Sequence, residues 1–209
     1  MKMPNFGSNW LKMRASNLTE NSAENLTEMI AFVQSIKALR VDHVVVMGVS
    51  GCGKSTVAGL IAHQLGLALI EGDSFHPARN ILKMQSGAPL TYEDRAGWLA
   101  TLGAELAAQP KGAVMTCSAL KKSYRDRLRQ AVPSLYVVHI AITEEEAFRR
   151  VHQRPDHFYP VSLVASQFAA LQDPSAEPGV LTLAGDASPD EMARQTVAWL
   201  ESKHSGTAG

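Results

Sequence analysis

Cysteine is almost missing from this 209-residue chain. Only Cys52 and Cys117 occur, which excludes a disulfide framework and offers no metal-ligand spacing. Net charge is missing as well: twenty Lys and Arg balance twenty Asp and Glu. No overall field therefore favours nucleic acid or an anionic membrane as a partner. No stretch approaches the roughly 18 consecutive apolar residues of a membrane-spanning helix, and Met1-Lys2-Met3-Pro4-Asn5 opens without the apolar run of a secretory signal. These absences predict a soluble, cytoplasmic protein. In that compartment the two Asn-x-Thr tripeptides at Asn17 and Asn25 carry no meaning as glycosylation acceptors. Internal repeats and low-complexity tracts are absent too.

What is present is a glycine-rich run, Gly48-Val49-Ser50-Gly51-Cys52-Gly53-Lys54-Ser55-Thr56, entered from the apolar stretch Val44-Val45-Val46-Met47. Helical periodicity follows it through Leu65. A strand, such a loop and a helix together form a phosphate-binding loop, in which backbone N–H groups wrap an anion at the positive end of a helix dipole. All nine residues from Gly48 to Thr56 are candidate ATP ligands. Lys54 is predicted to reach the β- and γ-phosphates, and Ser55 to sit on Mg²⁺. Cys52, at a helix N-terminus, is either redox-sensitive or simply a tolerated small residue.

Residues 1–40, rich in Asn, Ser, Thr and Glu, read as an extension, flexible or a single helix, ahead of a domain over 41–209. From Val44 onward strand-like and helix-like segments alternate. Strands are expected at 44–48, 67–71, 113–117, 135–141 and 180–184. Helices are expected at 54–65, within 77–86, and at 94–108, 122–131, 144–153, 161–171 and 189–202. Such alternation predicts an α/β fold, a five-stranded parallel sheet between two helical layers, with ligands at the carboxyl ends of the strands. The size suits a small-molecule kinase. There is no Asn-Lys-x-Asp to read guanine and no Leu-Ser-Gly-Gly-Gln transporter signature.

The second strand ends Glu71-Gly72-Asp73, two carboxylates on one side of an extended chain. In phosphoryl transfer a carboxylate orients the attacking hydroxyl or holds Mg²⁺ through water. Asp73 is the candidate for that role, as catalytic residue and with Ser55 as metal ligand. Its alternative is a cap on the following turn.

The segment Gly72-Asp73-x-x-His76-Pro77-x-x-Asn80-x-x-Lys83-Met84-x-x-Gly87-x-Pro89-Leu90, then Glu93-Asp94-Arg95-x-x-Trp98-Leu99, resembles the gluconate kinase (gluconokinase) family of P-loop small-molecule kinases. Cys117-Ser118-Ala119-Leu120-Lys121-Lys122-x-Tyr124-Arg125, Arg154-x-x-His157-Phe158 and Ser166-Gln167-Phe168 continue the resemblance in the same order. It covers about residues 42 to 203. Departures are Glu71, where the family usually has an Asp, and Tyr92 and Gly97, where it commonly has an acid and a proline.

The resemblance implies ATP-dependent, Mg²⁺-assisted phosphorylation of D-gluconate to 6-phosphogluconate by a homodimer that binds neither nucleic acid nor membrane. Gluconate carries a carboxylate at one end and a primary hydroxyl at the other, so a cation cluster is expected away from the phosphates. The implied acceptor ligands are His76, Arg79, Asn80, Lys83, Arg95, Ser118, Lys121, Arg125 and His157. His76 is open between a hydroxyl contact and a turn-shaping role, and Lys121 between acceptor and phosphate. A lid is expected near 150–162, with Arg150 and Arg154 neutralising transition-state charge. The rivals are another metabolite kinase of similar build, such as one resembling shikimate kinase, and a nucleotide-binding module without transfer.

Overall fold

A computed structural model of the chain describes residues 43–153 and 163–205. The expected 1–40 extension and most of the expected lid, including Arg154 and His157, lie outside the described residues.

Five strands form one sheet: β1 (Val44–Met47), β2 (Ala68–Glu71), β3 (Ala113–Thr116), β4 (Tyr136–Ala141) and β5 (Val180–Ala184). They lie in the order β2-β3-β1-β4-β5, and every pairing is parallel. A central parallel strand is covered on both faces, and the unbroken apolar run of β1 fits that place. All four of its residues are buried. Alternate side chains feed two cores: Val44 and Val46 pack on one face of the sheet, Val45 and Met47 on the other.

The helices are α1 (Lys54–Leu65), α2 (Ala78–Gln85), α3 (Tyr92–Ala107), α4 (Lys122–Ala131), α5 (Glu144–His152), α6 (Val164–Ala170) and α7 (Pro189–Ser205). Val57, Ala58 and Ile61 of α1 join Met192, Ala193 and Leu200 of α7 in the first core. Trp98, Leu99, Leu102 and Leu106 of α3 meet Leu128 of α4 in the second. Two helical layers thus sandwich the sheet, as the alternation predicts.

Differences from expectation are local. Helix α3 starts at Tyr92 and not at 94, because Thr91 and Asp94 form a reciprocal capping box that satisfies two otherwise orphaned N–H groups. A short 3₁₀ turn, Gly72–Phe75, follows β2. Gly72 presses against β3: a Cβ there would lie 2.1 Å from the Thr116 carbonyl oxygen. Its N–H donates to Thr116 Oγ1 at 3.2 Å, and its carbonyl accepts from Trp98 Nε1 at 2.8 Å. Close backbone approach therefore requires glycine between the two acids.

Candidate active site

The loop between β1 and α1 has backbone that only glycine tolerates. Gly48 has φ +144°, and a Cβ on it would come within 2.7 Å of Cys52 Sγ. At the start of α1, Gly53 is the N-cap residue and makes no side-chain cap bond, and no acid occupies the first turn. The orphaned N–H groups there are left for an anion. Lys54 folds back over the loop, its Nζ donating to the carbonyls of Gly48 at 3.2 Å and Val49 at 3.0 Å. A phosphate offers that ammonium a stronger, charge-assisted partner. Ser55 and Thr56 are exposed on the first turn, and Cys52 is fully buried.

The two carboxylates of β2's end part company. Glu71 Oε2 accepts from Ser55 Oγ at 3.0 Å and from Thr116 Oγ1 at 2.7 Å. Asp73, exposed, instead lines a narrow cleft with Lys54, Ser50, Arg95 and Ser118. The carboxylate that meets the loop serine is therefore Glu71, where the sequence paired Ser55 with Asp73. The 3₁₀ turn at Gly72 is what sends the two acids in different directions. Among the described residues no group of three or more His, Cys, Asp or Glu is placed to cage a metal. A hydroxyl beside one carboxylate suits Mg²⁺, which keeps waters and substrate phosphates as its other ligands.

A wider cavity of about 270 Å³ adjoins the cleft and is lined by Tyr92, Arg95, Ser118, Lys121 and Tyr124 among others. Arg95 and Ser118 border both spaces. Arg95 is held by the carbonyls of Leu90 and Thr91 and lies 5.7 Å from the Tyr124 ring centroid. His76 lines the narrow cleft and stacks on Trp98 with centroids 4.1 Å apart. Burial lowers its pKa, against the Asp73 charge, which raises it. A neutral ring donates or accepts without adding charge.

Four expected acceptor ligands lie elsewhere. Asn80 is buried and its Nδ2 donates to the Asp94 carbonyl at 2.8 Å. Lys83 pairs with Asp94 at 2.6 Å. Arg79 is exposed on α2 and lines neither space. Arg125, only 1% exposed, is spent inside the protein. Its guanidinium donates to the carbonyls of Ala119 at 2.8 Å, Leu120 at 3.0 Å and Gln172 at 3.1 Å, and pairs with Glu177. Ala119 has φ +41°, a conformation costly for a residue with a Cβ, so Arg125 braces the turn that carries Ser118 and Lys121. A spacing pattern shows that an arginine is near the site, not which way its head turns.

On the other side of the phosphate loop a cavity of about 450 Å³ is lined by Gly51, Thr56, Arg150, Gln153, Gly185 and Pro189 among others. Arg150 belongs to this side: it donates to Glu146 and to the Gly185 carbonyl at 3.0 Å. Gln153, the loop after β5 (185–188) and Pro189 have no role predicted from sequence. The rule that parallel sheets bind ligands beyond their strands' carboxyl ends would have pointed to that loop. Gln167, which lies in a motif block, likewise has no role predicted from sequence, yet it lines both the narrow cleft and the wider cavity.

The family described as AAA domain matches residues 44–178. A gluconokinase of Gluconobacter oxydans is 45% identical over 156 residues, 73% of this chain and 88% of that protein. The crystal structure of a gluconokinase from Sinorhizobium meliloti superposes with TM-score 0.74 at 41% identity, covering 80% of this chain and 95% of the other. A shikimate kinase from Acinetobacter baumannii shares only the fold, at 18% identity and TM-score 0.55 over 80% of this chain and 98% of its own. With a phosphate loop at one end of a divided cleft and that degree of identity across nearly a whole relative, the chain belongs to the gluconokinase family.

Proposed function

We propose that the chain transfers the γ-phosphoryl group of ATP to the terminal hydroxyl of D-gluconate, giving 6-phospho-D-gluconate. One observation carries the proposal: Lys54 of the phosphate loop and Asp73 of the β2 end line the same narrow cleft, which shares Arg95 and Ser118 with a cavity edged by Lys121. That is the order an in-line transfer needs, with phosphate, acid, hydroxyl and distal carboxylate in a row.

In this reading ATP lies against the loop Gly48–Thr56, with its base and ribose toward Arg150, Gln153 and the 185–188 loop. Lys54 leaves the Gly48 and Val49 carbonyls for the β- and γ-phosphates. Asp73 accepts the proton of the attacking hydroxyl. Ser55, with Glu71 behind it, would hold Mg²⁺, which would supply positive charge against the transferring group. Arg95 and Lys121 face the sugar acid's carboxylate, Ser118 and neutral His76 its hydroxyls. Arg150, half-buried beside Glu146 and lining the cavity beyond the loop, would meet the nucleotide in this reading.

A panel of sugar acids with Mg²⁺ and ATP in an ADP-coupled assay tests the proposal. Turnover that depends on gluconate is expected, and a folded protein releasing no ADP in response to gluconate overturns the substrate. The same reading takes the protein as a cytoplasmic homodimer, for which light scattering measures the mass. Among the described residues no helix is long and apolar enough to cross a membrane.

A further inference from the structure

Gln167 is 7% exposed on α6, and its Oε1 accepts the backbone N–H of Ser50 at 2.6 Å. Ser50 belongs to the loop that would wrap the phosphates. The same glutamine lines both the narrow cleft and the acceptor cavity, and its helix neighbours Ser166, Ala169 and Ala170 line the latter. Packing repeats the link. Val164, at the start of α6, lies in the core that contains Val49 and Cys52 of the phosphate loop. Leu163, just before it, clusters with Met84 and Leu90 on the acceptor side. At the far end of the helix the Gln172 N–H donates to the Leu120 carbonyl at 2.9 Å, beside the turn that carries Ser118.

From this we propose that Gln167 is a positioning residue that ties the phosphate loop to the acceptor wall, so that gluconate and nucleotide bind with linked affinities. The inference rests on gluconate being the acceptor. A carboxamide suits the task because it is neutral: it fixes the Ser50 N–H without setting a charge against the phosphates. An acceptor that seats against α6 then orders the loop through one short bond, and by reciprocity a seated nucleotide orders the acceptor wall.

The test is titration calorimetry of a non-hydrolysable ATP analogue with Mg²⁺, with and without saturating gluconate. In the wild type gluconate is expected to tighten analogue binding at least about fivefold. Gln167→Met, similar in volume but lacking the carbonyl, should bring that ratio to about one. Gln167→Glu retains an oxygen for the Ser50 N–H, so it should weaken analogue binding with and without gluconate alike and keep the ratio. A wild type without linkage, or Met and Glu variants that behave alike, overturns the inference. A measurement free of variants stands beside it: gluconate alone should slow hydrogen exchange of the Ser50 amide, and an unchanged rate counts against the tie. Wild-type turnover is measured first. If gluconate is turned over without linkage, only this inference fails; if it is not turned over, the substrate assignment fails, and linkage is read with whichever sugar acid the panel identifies.

Discussion

Asp73 and Glu71 stand two positions apart and meet different partners because Gly72 lets the chain fold against β3 between them. The Asp73→Asn variant keeps the shape and loses the carboxylate proposed as base. Its turnover should fall by at least about a hundredfold, the lower range for a positioned general base, while analogue affinity in calorimetry stays within a few-fold of wild type. Unchanged turnover would remove Asp73 from the chemistry. Arg125 makes the contrasting case. Burial alone would raise the Glu177 pKa, yet bonds from Arg125 and Arg129 outweigh it and hold the carboxyl below its usual range. Arg125→Met leaves Glu177 with Arg129 as its remaining cation but strips the Ala119, Leu120 and Gln172 carbonyls of a donor, so it should cost about 1–3 kcal/mol in urea unfolding at neutral pH. Arg125→Lys should fall between, since an ammonium cannot span the Ala119, Leu120 and Glu177 acceptors as the planar guanidinium does. In the sequence Arg95 and Arg125 are equal candidates, with Arg79, for the acceptor. Which one reaches the cavity depends on side-chain direction and on Glu177, some fifty positions downstream.

Helix α3 shows how an element's ends and interior are written separately. Its start is secured by Thr91 and Asp94, and the Lys83 bond, followed by the Thr91 N–H, holds the Asp94 carboxyl down at about 2. One carboxylate thus caps α3 and joins it to α2. Loss of the cap in Thr91→Ala should destabilise by about 1 kcal/mol. Gly97 lies exposed in the helix, with open space where a Cβ would project. Gly97→Ala should therefore stabilise by roughly 0.5–1 kcal/mol in urea unfolding; a loss of stability would mean that the position needs glycine after all. The elements were legible because period and capping are local properties. The 3₁₀ turn was not, since it exists through contacts with Thr116 and Trp98, which lie 44 and 26 positions away.

At the scale of the whole molecule, β4 carries a charge-sensitive residue into the interior. His139 is 5% exposed, and burial lowers its pKa from 6.5, opposed by Asp173 and reinforced by Arg125. A histidine whose folded pKa lies below its unfolded one binds fewer protons when folded. Stability is then full above about pH 6.5 and declines as pH falls below it. Urea unfolding between pH 7.5 and 5.5 should show that decline, to which His76, also lowered by burial, contributes; His139→Gln should make it shallower, and an equal slope in both proteins would assign the effect elsewhere. The carboxylates held low, Asp94 and Glu177 among them, add their loss only at more acid pH. By itself the sequence determined the class of fold, the order of strands and helices along the chain, and the phosphate loop, because hydrophobic period, glycine spacing and caps act within a few residues. Only tertiary structure decided that Glu71 meets Ser55, that Asp73 shares a cleft with Lys54, that Arg125 is a brace and that Gln167 grips the loop. Each of those depends on which strand lies beside which and on where a long side chain finds its partner, and neither is a local property of the chain.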